Sequence, residues 1–267
     1  MKRSKPGRSL PRRLASALAT TLVSVGALIL VWQVFLWVLD VDPFVGKTPV
    51  DVFHYLFTDE GHAANRHEVV SLFFTTIWDA TLGLVVGGFT SIAVAVLFVV
   101  SRPLERTFMP IALALRSVPV IAMTPVLVLI FGYSRSAVIA VVGIVVFFPT
   151  LVLVSHGLRS VSSEAFDLLS VYDADRITVF RKVRLPSALP SIFAAARVAG
   201  PGAIVGALLG EWLASGKGLG YRLISDTVKS RYNELWAAAV LITATAIAIY
   251  EIIGAIERAV LDRYRMN

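Results

Sequence analysis

Long apolar runs, separated by shorter polar or basic segments, dominate the chain from end to end. A helix needs roughly 20 largely apolar residues to cross the hydrocarbon of a bilayer. On that measure the pattern predicts six spans, near residues 17–39, 73–100, 107–131, 136–157, 189–213 and 235–256. The first run is too long for a signal-peptide core and lacks a small-residue cleavage site, so it reads as an anchor. The expected organisation is a basic tail (1–16), a first span and outer loop (17–72), a core of five spans (73–256) with a polar segment at 162–186, and a short tail (257–267).

Composition strengthens this reading. Of 267 residues, 57% are hydrophobic and only 16% charged, and the mean hydropathy is +0.76. That is more apolar surface than one soluble core can hide. The net charge of +7 does not point to nucleic acid, because Lys2, Arg3, Lys5, Arg8, Arg12 and Arg13 all precede the first span, as the positive-inside bias demands. Arg102, Arg106, Arg159, Arg176, Arg181, Lys182, Arg184, Arg258, Arg263 and Arg265 fall on the same side, whereas residues 40–70 carry more acids than bases. Both termini are therefore expected in the cytoplasm of a multi-pass bacterial membrane protein. The basic loop 215–234 is assigned outside against this bias, and its Gly216, Gly218 and Gly220 suggest a turn or a partly re-entrant passage.

Several spans carry residues unsuited to a passive anchor. Gly83 and Gly87 in span two, and Gly202, Gly206 and Gly210 in span five, have the spacing that lets helix backbones touch. This serves either packing within the chain or a dimer seam. Pro110, Pro119, Pro125, Pro149 and Pro201 each remove a backbone hydrogen bond and invite a kink. Asp79, Arg116, Arg197 and Glu211 are ionisable groups at or near membrane depth, where a charge faces a partner or a cavity unless it can snorkel to an interface. Arg116, Pro119, Arg197 and Glu211 are the candidates for a translocation pathway, with Arg116 and Glu211 near enough to span ends to reach the interface instead.

No enzyme constellation is apparent. The zero cysteines exclude disulfides and thiol chemistry. His54, His62, His67 and His156 are scattered, and His62 and His67 lack a third ligand at sensible spacing, so no metal is expected. GEWLASGKG (210–218) fails as a phosphate-binding loop: five residues separate Gly210 from Gly216, and Gly218 stands where a Ser or Thr must hold magnesium.

The polar segment DLLSVYDADRITVFRKVRLPSALP (167–190) has the marks of two short helices. Ser162 or Ser163 can cap the first, with Glu164 in its first turn and Ala165, Phe166, Leu168, Leu169 and Tyr172 on an apolar face. Asp175 can cap the second, whose Ile177, Phe180 and Val183 share one side, and Pro186 and Pro190 lead into span five. The alternative is an amphipathic loop resting on anionic headgroups.

This stretch resembles the signature of the permease subunits of ATP-binding-cassette importers, an E-A-A, three residues, G, nine residues, I-x-L-P pattern. Asp167, Leu168 and Leu169 occupy the E-A-A places, Asp173 the glycine, and Val183, Leu185 and Pro186 the I-x-L-P. RSVPVIAMTPVLVLIFGYS (116–134), LPSALPSIFAAARVAG (185–200) and GEWLASGKGLGYRLISD (210–226) are similar to permeases of the taurine, sulfonate, nitrate and pyrimidine-precursor branch. The resemblance covers roughly residues 70–257. It implies an all-α, type I importer permease with a cytoplasmic coupling helix, working as a homodimer on two copies of a separate ATPase. An extracytoplasmic binding protein would supply a small polar solute. It further implies that ATP and magnesium belong to the partner, with no cofactor in this chain, and that Glu164, Ala165, Asp167, Leu168, Leu169, Tyr172, Asp173, Leu185 and Pro186 contact or couple to the ATPase. Asp at the glycine place is tolerable, because a helix-ending left-handed turn accepts Gly best and Asn or Asp next. An ion- or proton-coupled secondary transporter is the alternative reading of the kinks and buried charges.

Overall fold

A computed structural model describes residues 10–161 and 175–265, and every regular element among them is helical. In chain order these are α1 (Leu10–Val38), α2 (Pro49–Phe57), α3 (His62–Val100), α4 (Arg102–Arg116), α5 (Val120–Phe131), α6 (Arg135–Arg159), α7 (Leu185–Ala214), α8 (Gly218–Val228) and α9 (Tyr232–Arg265). The helices α3, α6, α7 with its lead-in, and α9 are long and apolar enough to cross a membrane, while the apolar stretch of α1, Val23–Val38, is shorter.

The span expected at 107–131 is not one helix. It is α4 followed by α5, bent by 103° at the break between them. Pro119 disfavours helical backbone at Val118 and has no N–H to continue the ladder. The N–H groups of Ser117 and Val118 instead close tight turns onto the carbonyls of Ala114 and Leu115. The other expected spans are longer than the apolar pattern alone suggests: α3 begins at His62, in the segment read as loop.

At the centre of the bundle, α6 lies against both α3 and α7. Val138, Val142 and Val146 of α6 are fully buried between Ala80 of α3 and Ala199, Ala203 and Ala207 of α7. Such small residues allow close backbone approach, which drives helix association where the hydrophobic effect cannot. Four of the five glycines, Gly83, Gly87, Gly206 and Gly210, pack closely within the chain. A Cβ on Gly83 would collide with Val142, one on Gly87 would lie 2.6 Å from the carbonyl oxygen of Gly143, and one on Gly210 would lie 3.0 Å from Val138 Cα. A Cβ on Gly206 would lie 3.1 Å from Val142 Cα, and one on Gly202 only 3.8 Å from Val145 Cγ1.

A second apolar layer, at the other end of the same three helices, joins Ala95 and Phe98 to Leu151, Val154, Leu158, Ala188 and Ala195. The helix bearing this layer begins before α7, with a helical turn at Arg176–Val179 and a π turn at Phe180–Arg184. Asp175 caps it by accepting the N–H of Thr178 at 3.3 Å, as expected from the sequence. The Leu185 N–H reaches back to Phe180 O. This wider turn accommodates Pro186, whose ring would clash with the carbonyl four residues back and which cannot donate.

The α2 helix is tied down by a capping box. The Asp51 N–H donates to Thr48 Oγ1 at 3.2 Å and the Thr48 N–H donates to Asp51 Oδ2 at 2.8 Å. That backbone N–H holds the Asp51 carboxyl below its usual range, against a smaller upward effect of burial. The cap's contribution is therefore present above about pH 3.9, the ordinary Asp value, and is lost as pH falls through the lowered value. Thr48→Ala should cost α2 about 1 kcal/mol, seen as faster amide exchange across Val52–Phe57 with the rest of the bundle unchanged.

Candidate functional site

The last turn of α7 carries Glu211, and the chain then reverses through Ser215, Gly216 and Lys217 into α8. Gly216 and Gly218 have φ of +65° and +83°, backbone that only glycine adopts without strain. The reversal lays the start of α8 over the Glu211 side chain, which is 0% exposed. Glu211 Oε2 accepts the Gly220 N–H at 2.8 Å and the Thr76 hydroxyl at 2.9 Å, while the Leu219 N–H donates to Thr76 Oγ1 at 2.9 Å. Two of the orphan N–H groups of the first turn of α8 are thus satisfied from α3 and α7, with a carboxylate at the positive end of the helix.

Close approach makes the glycines obligatory. A Cβ on Gly218 would occupy the Glu211 carboxylate, and one on Gly220 would lie 2.6 Å from Leu208 Cα. The run that fails as a phosphate loop therefore cradles an anion after all, the chain's own. Glu211 thus faces protein partners beneath α8.

Next to this cradle Asp79 of α3, also buried, meets Arg135 of α6, with Oδ1 2.6 Å from Nε. Thr75, Asp79, Tyr133 and Arg135 face Ser215 and Lys217 across a cavity of about 360 Å³. A carboxylate in the wall of this cavity has a cation beside it, so Asp79 needs no proximity to an interface. Arg222 fastens α8 to α3 through Glu68 Oε1 at 2.8 Å, and Asp226, four residues on in α8, holds the same guanidinium at 2.8 Å. Burial pushes the Asp226 carboxyl up, with Arg222 opposing it.

The other pathway candidates lie elsewhere. Arg197 pairs with Glu257 of α9 at 2.5 Å and stands 5.4 Å over the Tyr250 ring. It precedes Glu211 by about 21 Å along α7, at 1.5 Å per residue. Arg116 and Pro119 are exposed at the α4–α5 break. The four residues are thus not brought together. Arg159 closes the Arg197 end of the bundle by an ion pair with Glu105 and by donating to Phe98 O at 2.9 Å.

Of the coupling residues, Glu164, Ala165, Asp167, Leu168, Leu169, Tyr172 and Asp173 lie outside the described residues; Leu185 is exposed and Pro186 half-buried at the start of α7. Sequence reasoning missed Thr76, Arg135 and Leu219. Asp79 and Arg135 stand near the expected outer ends of the second and fourth spans, which was the available signal for a pair; Thr76 gave none.

Comparison with known proteins agrees with this architecture. The family described as "Binding-protein-dependent transport system inner membrane component" matches residues 81–266. A probable ABC transporter permease protein of Haemophilus influenzae is 29% identical over 229 residues, 86% of this chain and 91% of that one. The formylaminopyrimidine transport permease protein ThiX of Halalkalibacterium halodurans is 36% identical over 155 residues, 57% of this chain and 62% of its own. A putative aliphatic sulfonates transport permease protein of Bacillus subtilis is 26% identical across 97% of this chain and 91% of its own. Among solved structures, an inward-facing MetNI methionine ABC transporter chain superposes with a TM-score of 0.59 at 21% identity, covering 71% of this chain and 96% of that one. That likeness concerns the fold, and no finding favours a secondary transporter. The chain belongs to the inner-membrane components of binding-protein-dependent transport systems, and it is an ABC importer permease subunit, not an enzyme.

Proposed function

We propose that this permease forms the translocation path for a small polar solute in a bacterial inner membrane, as a homodimer. It is driven by two ATPase subunits that carry the ATP and magnesium, and it is fed by an extracytoplasmic binding protein. In this reading both termini and residues 162–174 face the cytoplasm, and α2 and α8 face outward. The observation that carries it is the continuous helix Ile177–Ala214, 38 residues long. At 1.5 Å per residue it extends about 57 Å, against roughly 30 Å of hydrocarbon. Its excess protrudes at the end bearing Arg181, Lys182 and Arg184, and its far end carries Glu211. Motion of the coupling segment is thereby delivered by one rod to the Glu211 cradle. Glu164, Ala165, Asp167, Leu168, Leu169, Tyr172 and Asp173 would dock on the ATPase, with Leu185 and Pro186 fixing the joint.

The test is copurification with the ATPase followed by reconstitution with the binding protein. A stable complex whose ATP turnover rises with the loaded binding protein is expected; uptake driven by an ion gradient without ATP would overturn the reading. Pro186→Ala should reduce the stimulated turnover several-fold while membrane insertion is retained, because the π turn at the joint loses its cause. Asp173→Gly should keep transport and stabilise slightly, and loss of ATPase assembly in that variant would count against the turn at Asp173.

A further inference from the structure

α1 and α2 precede the segment matched by the family, residues 81–266. Between them and α9 lies a groove of about 600 Å³, walled by Leu28 and Trp32 of α1, Val52 and Phe57 of α2, and Val240 and Ala244 of α9. Contact between α1 and the bundle is sparse. Its main anchor is the stack of Trp32 on Trp236, with ring centroids 5.1 Å apart and planes 8° from parallel. The groove runs along α9 from Trp236 to Ile247, about 16 Å at 1.5 Å per residue. That is the depth of one leaflet, half of roughly 30 Å of hydrocarbon.

We propose that this groove is a binding site for a membrane phospholipid, with one acyl chain lying between α1 and α9 and the phosphate at the α2 end. Length and apolarity fit the chain. Two features fit the polar part. The Trp32 Nε1–H is buried with no acceptor, in a site where a lipid ester or phosphate oxygen can supply one. The Arg66 guanidinium stands 5.8 Å over the ring of Phe57, a groove residue, and so brings a cation to the rim. Two acids, Asp59 and Glu60, follow Phe57 by two and three residues, so a zwitterionic headgroup suits this end of the groove better than an anionic one. A retained lipid would complete the contact between α1 and the bundle, which protein atoms alone leave open.

The experiment uses the full chain in nanodiscs with phosphatidylethanolamine brominated on its acyl chains, which quenches tryptophan on contact. One variant keeps only Trp32 and Trp236; a second keeps only Trp37, which is 80% exposed and samples bulk lipid. The Trp32/Trp236 pair should reach half-maximal quenching at a roughly fivefold lower mole fraction of brominated lipid than Trp37, the preference that one net hydrogen bond to Trp32 provides. Ala244→Phe, which fills the groove, should remove this preference, and Arg66→Gln should weaken it. Brominated phosphatidylglycerol in the same series should show the smaller preference. Quenching of the pair that merely tracks Trp37, or that is indifferent to Ala244→Phe, would overturn the proposal. So would a pair shielded from all brominated lipid, because a second copy of the chain would then be filling the groove.

Discussion

Glu211→Ala is expected to unseat α8 and abolish transport. The substitution leaves the Gly220 N–H without its acceptor at 2.8 Å, while the Thr76 hydroxyl, 2.9 Å from the same carboxylate, falls back on the Leu72 carbonyl at 3.2 Å. Each buried unsatisfied donor costs about 1–3 kcal/mol. Because α8 covers the site, water replaces the acceptor only if the helix lifts. A loss of about 1–3 kcal/mol is a substantial part of a native stability of about 5–15 kcal/mol. Glu211→Gln retains an oxygen for these donors and should cost less than the alanine change, under about 1 kcal/mol. Thermal unfolding of both variants in nanodiscs, with limited proteolysis between Ser215 and Tyr232, measures the difference. An alanine variant within about 1 kcal/mol of the parent would mean that α8 is held by Arg222 and not by the cradle.

The second large effect is expected at Gly87. An alanine Cβ there would stand 2.6 Å from the Gly143 carbonyl oxygen and 2.8 Å from Gly143 Cα. Both are backbone atoms of α6, so no side chain can rotate away, and α3 and α6 must separate. Overpacking of this kind costs about 1–3 kcal/mol, occasionally more, which exceeds the helix-propensity gain of about 1 kcal/mol for alanine over glycine. Gly88 is the control, since a Cβ there meets nothing within 4 Å. Gly88→Ala should leave the melting temperature unchanged or raise it, whereas Gly87→Ala should lower it by several degrees. Equal melting temperatures would sink the account of α3–α6 packing.

Both effects depend on residues whose type was visible in the sequence but whose partners were not. The i, i+4 spacing of Gly83 and Gly87 announces a close helix contact, yet the same spacing serves a neighbour in the chain or a second copy. Their contact with Val142 and Gly143 of α6 decides for the first. Pro119 announced a disturbance in the third span. Apolar residues continue on both sides of it, however, so nothing in the pattern distinguishes a mild kink from the observed 103° bend. Packing of α5 against α6 and α7 fixes that direction. The similarity of residues 162–186 to the importer signature was legible residue by residue, because a signature is a spacing of residue types along the chain. Charge and depth along the chain carry no information on partners, and Arg197 and Glu211 have separate ones about 21 Å apart along one helix.

By itself the sequence determined that this protein is a bundle of membrane helices and an importer permease. Apolar length and signature spacing are local properties, and lipid leaves the backbone no alternative to the helix. Only the tertiary structure decided that Gly216, Gly218 and Gly220 fold a helix end over Glu211, that Asp79 has Arg135 beside it, and that α1 stands off from α9 across an apolar groove. Each of these depends on which helices are neighbours, and small residues and charges acquire a function only from the atoms that packing places against them.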